Sequence, residues 1–222
     1  MAEQLTFDLA ARPALGRDDY FVSPANAAAV AGIDAWRDWP RGKMVLTGPQ
    51  GAGKTHLAHV WAETAGAQVV GAAELEGLDP ATLGAALAVE DVDRGLTEAA
   101  ETALFHIHNV LAGQGGALLL TARMAPARWP LRLADLKSRV QQAGVLQLDA
   151  PDDALLAALM VKLATDRQLR LAPRLIPYAL LRMERSFAAA QRLIARIDAQ
   201  SLRDKSRPGE AMIRAILAED GE

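Results

Sequence analysis

Cysteine is absent from the 222 residues, which excludes disulfides and thiolate metal sites. Its absence does not place the chain in the cytoplasm, but nothing in the sequence argues for export. Long apolar runs are also missing, and none approaches the length of about twenty residues that a membrane span needs. The start, MAEQLTFDLA, lacks a basic region followed by a long apolar core, so it does not read as a signal peptide. Positive charge is not in excess. The net charge of −3 gives no whole-chain attraction to nucleic acid, although arginine is frequent in the last third. The H-E-x-x-H pattern is missing. His56 and His59 share a helix face and so could bind metal, but His106 and His108 point to different faces, and all four are expected at the surface or half-buried. No Ser/His/Asp arrangement, internal repeat or low-complexity tract is present. What is there is a 51% hydrophobic chain, long enough to bury a core as one compound domain or a domain with a small appendage.

The pattern along the chain alternates. After an extended tail, 1–13, Ser23 is expected to cap a helix with Pro24 at its first position. Strands are expected at 43–47, 68–71, 87–89, 117–121 and 145–148. Helices are expected at 53–65, 98–111 and 131–142, with Leu104, Ile107, His108 and Leu111 on one face of the second. Strand and helix in turn mean a parallel sheet with crossover helices. Beyond Pro151 only helical patterns occur, at 152–168, 173–182, 186–202 and 210–218. The expected organisation is therefore a tail (1–13), an α/β base (14–150) and an all-helical subdomain (151–222).

The segment LTGPQGAGKTHLAHVW carries Gly48-Pro49-Gln50-Gly51-Ala52-Gly53-Lys54-Thr55, a full match to G-x-x-x-x-G-K-[ST]. It follows an expected strand and opens an expected helix, where such a loop must lie. The backbone has to wrap phosphate oxygens with its N–H groups, and a Cβ would block the approach. The helix N-terminus adds partial positive charge. Lys54 is placed for the β and γ phosphates and Thr55 for Mg²⁺, so ATP or ADP is the expected ligand. Leu87-Ala88-Val89 ends in Glu90 and Asp91. Behind a phosphate loop, one acid would hold the Mg²⁺ shell, Glu90 through water, and the other would polarise the attacking water. Thr121 ends the strand Leu118-Leu119-Leu120 as a candidate polar contact to the γ phosphate.

These parts, with Ser138-Arg139 ahead of the last strand and a helical lid, resemble the AAA+ ATPases, and among them the DnaA-like initiator clade. The resemblance covers nearly the whole chain from Tyr20. It implies a P-loop AAA+ module: a parallel five-stranded sheet sandwiched by helices, then a small helical lid. DYFVSPANAAAV resembles the clade's nucleotide-pocket box, so Tyr20, Phe21 and Val22 would approach the base, and His56 would join Gly48, Gln50, Gly51, Ala52, Gly53, Lys54 and Thr55 in the pocket. LTARMAPARW resembles the segment with sensor 1, which falls on Thr121. LADLKSRVQQAGVLQLDAPD resembles the segment with the arginine finger, which falls on Arg139.

With the sequence ending at Glu222, a helix-turn-helix domain such as DnaA carries is not expected. Gln4-Leu5-Thr6-Phe7-Asp8-Leu9 resembles the peptide by which proteins dock on the bacterial β sliding clamp: Leu5, Phe7 and Leu9 would enter an apolar groove and Gln4 would anchor a polar end. Together these features resemble the Hda family of DnaA regulators. The resemblance implies a cytoplasmic, nucleotide-bound protein that sits on the clamp and lends Arg139 to the ATP of DnaA, with weak ATPase activity of its own at most. A homodimer is left open, and neither a membrane nor sequence-specific DNA contact is expected. Two departures stand out. The usual first acid is Asp, where this chain has Glu90. The sensor 2 arginine is replaced by Ala188, with Arg185 one turn before and Arg192 one turn after. A helicase loader sharing the core is the alternative reading, and a P-loop small-molecule kinase is disfavoured by the helical tail. The arginine-rich SLRDKSRPG is read as a solvated loop between lid helices rather than a DNA-binding segment.

Overall fold

The computed structural model describes Gly16 and residues 20–219. The clamp-docking residues expected from the sequence, Gln4, Leu5, Phe7 and Leu9, lie outside the described residues. Among the described residues the base runs α1 (Ala27–Asp34), β1 (Lys43–Thr47), α2 (Lys54–Ala65), β2 (Gln68–Gly71), β3 (Ala86–Glu90), α3 (Glu98–Gly113), β4 (Ala117–Ala122), α4 (Ala134–Gln141) and β5 (Gly144–Gln147). Four helices follow: α5 (Asp153–Asp166), α6 (Leu175–Leu180), α7 (Phe187–Asp204) and α8 (Glu210–Glu219).

The five strands form one sheet in the order β2-β3-β4-β1-β5, and every pairing is parallel. KMVLT in β1 and ALLLTA in β4 are buried throughout, as central strands covered on both faces must be, while edge strand β5 alternates between half-buried and exposed. One apolar cluster joins α1 and α2 to the sheet through Ile33, Leu57 and Trp61. A second, on Leu104, Ile107, Leu111 and Leu136, joins α3 and α4 to it. A third lies within the four C-terminal helices, around Leu156, Met160, Leu193 and Ile194.

Two helix starts differ from the sequence reading. Ser23 caps a turn rather than a helix: its N–H donates to Oδ1 of Asn26 at 2.8 Å, its carbonyl accepts from Asn26 and Ala27, and α1 begins only after Asn26. The α4 helix begins at Ala134, three residues late: Leu133 before it is extended, at φ −74° and ψ +105°, and Glu101 of α3 accepts from the N–H groups of Arg132 and Leu133 at 2.7–3.1 Å, which ties this approach to α3. His108 is buried on the apolar face of α3, against the expectation of a surface or half-buried histidine.

Candidate phosphate-loop site

Parallel strands bring their C-terminal ends to one edge of the sheet, and the residues singled out in the sequence meet there. β1 pairs with β4 so that Leu46 lies beside Thr121, and β3 pairs with β4 so that Val89 lies beside Leu120. The loop after β1 is tied down on both sides. The N–H of Gly48 donates to the carbonyl of Ala122 at 3.2 Å, and the N–H of Leu148 donates to that of Thr47 at 2.7 Å. A Cβ on Gly48 would stand 2.6 Å from the Leu148 oxygen, so this glycine is required by close approach.

Gly51 and Gly53 take the left-handed region, with φ of +74° and +92°. The α2 helix begins behind Gly53 with no side-chain cap. No carbonyl or side chain among the described residues accepts from the N–H of Gly51, Gly53, Lys54 or Thr55. Four amides converging on one loop, at a helix N-terminus, form a cradle for an anion such as a phosphate. Lys54 is buried, and its Nζ donates to the carbonyls of Gly48 at 2.8 Å and Pro49 at 2.9 Å, which holds the ammonium inside the loop. Burial pushes its pKa below the ordinary lysine value, the Asp91 carboxylate opposes that shift, and Arg123 adds to it.

The acids divide. Glu90 is half-buried, and its Oε1 is buried with no hydrogen-bond partner among the described residues. Such an oxygen fits a ligand-borne donor, as the water of a Mg²⁺ shell would be. Among the described residues no cluster of three or more His, Cys, Asp or Glu could hold a metal alone, so a cation here would need phosphate oxygens and Thr55, which is exposed at the start of α2. Asp91 sits in the left-handed region at φ +57° and pairs with Arg94 at 3.3 Å. That turn brings its N–H to Oγ1 of Thr121 at 3.2 Å, which leaves the buried Thr121 hydroxyl its own hydrogen to donate. Asp93 was not singled out in the sequence. It is buried, and its Oδ2 accepts from the N–H groups of Arg123 and Met124 at 2.8 and 3.0 Å, fastening the loop after β4 to the loop after β3. The run Glu90-Asp91-Val92-Asp93 carries that third acid in plain view, but spacing does not assign it a role.

Of the residues expected near a base, Tyr20 is buried and meets His56 edge-on, with ring centroids 5.0 Å apart. His56 Nε2 lies 3.1 Å from the carbonyl of Gly16. Val22 is exposed, Ala52 is buried within the loop, and Gln50 is exposed on it. The start of α7 also reaches this site. A Cβ on Gly51 would stand 3.2 Å from the Ala188 nitrogen, and one on Gly53 would stand 3.2 Å from the Phe187 ring. Arg185 pairs with Asp153 at 3.2 Å and Arg192 with Glu184 at 3.8 Å.

Arg139 is elsewhere. It is exposed on α4, with its guanidinium 5.4 Å from the Phe105 ring centroid, and it lines a cleft with Lys43, the first residue of β1. The phosphate loop leaves β1 at its other end, and four strand steps of about 3.3 Å separate the two ends by roughly 13 Å. Arg139 and the loop therefore belong to opposite edges of the sheet.

No family model matches the sequence, and no curated protein matches it. Solved structures do. Domain III of the Thermotoga maritima replication initiation protein DnaA is 17% identical, with a TM-score of 0.81 over 94% of this chain and 97% of that one. AMPPCP-bound DnaA from Aquifex aeolicus, also 17% identical, gives 0.68 over 84% of this chain and 66% of that one. A variant of Thermotoga maritima RuvB is 21% identical and gives 0.67 over 88% and 68%. The strand order, the all-parallel sheet and these superpositions establish the fold as that of DnaA domain III and RuvB.

Proposed function

We propose that this chain is a nucleotide-dependent regulator of replication initiation of the Hda type. The observation that carries the reading is the position of Arg139: exposed, and at the sheet edge away from the phosphate loop. A guanidinium there is out of reach of the chain's own nucleotide and available to one presented by a neighbour. Support also comes from the likeness to DnaA domain III over nearly all of both chains.

In this reading the loop of Gly48–Thr55 holds ADP or ATP, with Mg²⁺ on Thr55 and, through water, on Glu90. Tyr20, Val22 and His56 face the base. The tail, 1–13, docks Gln4, Leu5, Phe7 and Leu9 on the β sliding clamp. The base, 14–150, and the lid, 151–222, clasp the nucleotide between them. Arg139 reaches the γ phosphate of ATP held by DnaA and stabilises the charge that develops there as it leaves. With Ala188 where the clade has a sensor 2 arginine, and Arg185 and Arg192 engaged by acids, the chain's own turnover is slow. Asp91 and Thr121 sense the phosphate rather than drive its release. The protein works in the cytoplasm, and no described helix is long and apolar enough to cross a membrane.

The test is hydrolysis of DnaA-bound ATP, with and without clamp loaded on DNA, in the presence of this protein. Stimulation that depends on the clamp is expected, and it should vanish with Gln4→Ala/Leu5→Ala. Hydrolysis at the unstimulated rate in both arms would remove the reading. Capture of a replicative helicase without capture of the clamp would redirect it to a loader.

A further inference from the structure

A cleft of about 350 Å³ opens where β1 begins, on the sheet edge opposite the phosphate loop. Arg41, Lys43, His108, Arg139 and Gln142 line it, with the backbone of Gly115 and Gly116, and no carboxylate lines it among the described residues. Lys43 is only 7% exposed. Its Nζ lies 3.5 Å from Nδ1 of His108, and no carboxylate among the described residues pairs with it. An ammonium can only donate, so Nδ1 accepts and the hydrogen of a neutral His108 sits on Nε2.

This arrangement is electrostatically unfavourable on its own. A buried ammonium costs several kcal/mol unless an anion compensates it. Here burial and the nearby Arg139 and Arg41 all act against the charge on Lys43. Arg41 is itself held in the left-handed region at φ +54°, and its guanidinium donates to the Gln142 side chain, joining the turn before β1 to the end of α4 across the cleft. Three cationic side chains converge from two walls on a recess whose size falls at the small end of ligand pockets. A single carboxylate would answer one of them, and a nucleic-acid backbone calls for a basic stripe rather than a recess. A compact group with several charged oxygens answers all three.

We propose that this cleft binds the polyphosphate end of a nucleotide, with Lys43 as its buried anchor and Arg41 and Arg139 gripping it from the two walls. The polyphosphate can come from free solution or from a nucleotide carried on a partner docked at this edge. Where the occupant is a partner's nucleotide the inference rests on the regulator reading and deepens it; where the polyphosphate is free it stands apart from that reading. Arg139 belongs to both, whereas Lys43, Arg41 and His108 belong to this one alone, and binding needs no DnaA.

Calorimetric titration of pyrophosphate into the full chain carrying Lys54→Ala, which disables the phosphate loop without adding a nucleotide, tests the cleft. One saturable site is expected, weakened at least tenfold by Lys43→Met and again by Arg41→Ala. Arg41 is exposed, so its variant keeps the test open should Lys43→Met fail to fold. No saturable heat with the Lys54→Ala chain, or equal binding once Lys43→Met or Arg41→Ala is added and the chain stays folded, overturns the proposal. A second arm adds pyrophosphate to the DnaA hydrolysis assay. Competition with stimulation identifies the partner's nucleotide as the natural occupant, and stimulation that persists identifies a free polyphosphate. The first arm is read without DnaA, so failure of the regulator reading leaves it standing.

Discussion

Lys54 and His108 are both cations in principle, and burial works on each. Lys54 keeps two carbonyl acceptors and a loop of unpaired amides around it. Lys54→Ala removes the buried ammonium that the proposed phosphate site would use, so nucleotide affinity should fall by at least about a hundredfold, consistent with a hydrogen-bonded charge worth ~3 kcal/mol. Calorimetry with ADP checks this, and a melting curve should show the fold retained. His108 is pushed down to about 4, first by burial and then by Lys43 and Arg139, while Asn109 opposes the shift. An unfolded histidine takes its proton near pH 6.5, and the folded one waits until about pH 4. Between those values the unfolded chain binds more protons, so lowering the pH through this window favours unfolding, by up to about 3 kcal/mol at its acid end. His108→Asn keeps an acceptor near Lys43 and removes the titration. Its stability should therefore fall less steeply than the wild type's between pH 6.5 and 4 in urea melts.

At the scale of elements, the glycine loop and the start of α7 form a contact that composition does not reveal. Gly51→Ala would place a Cβ in the left-handed region and 3.2 Å from the Ala188 nitrogen. It should cost about 1–2 kcal/mol in stability and weaken nucleotide binding as well, read as a lowered Tm and a raised Kd for ADP. The loop itself was legible, because its glycines are demanded by backbone geometry and stand at fixed spacing between a strand and a helix. The five strands were legible for a similar reason: parallel strands covered on both faces read as short continuous apolar runs. What spacing could not supply is any feature made by residues far apart in the chain. Glu101 holding the approach to α4, Asn26 tying back Ser23, and Lys43 meeting His108 across 65 residues all need the fold first. The acids at the end of β3 show the boundary within one short run. Glu90 and Asp91 were visible as candidates, but the division that leaves Glu90 unpartnered and Asp91 paired with Arg94 is tertiary.

For the whole molecule, the parallel sheet gives the base two chemically different edges. One carries the phosphate loop and the acids, and the other carries Arg139 and the basic cleft. In the proposed reading a partner engaged through the second edge would meet a surface unlike the first, so contact between two related modules would run head to tail rather than face to face. Arg139→Ala should therefore leave ADP affinity within about twofold, while partner hydrolysis falls by roughly a thousandfold, the scale set by an arginine supplied in trans. Calorimetry and single-turnover hydrolysis read the two sides separately, and a loss of ADP binding in this variant would contradict the division of labour between edges.

The seating of Phe187 and Ala188 on Gly51 and Gly53 has a mechanical consequence. The backbone that would cradle phosphates is also the bearing on which the C-terminal helices rest, and it is built at the two positions with least side chain to stiffen it. A ligand that spread those amides would tilt what rests on them. The angle of the C-terminal bundle should then shift with occupancy, and a pair of fluorophores on α2 and α8 would read the filling of the loop from a distance.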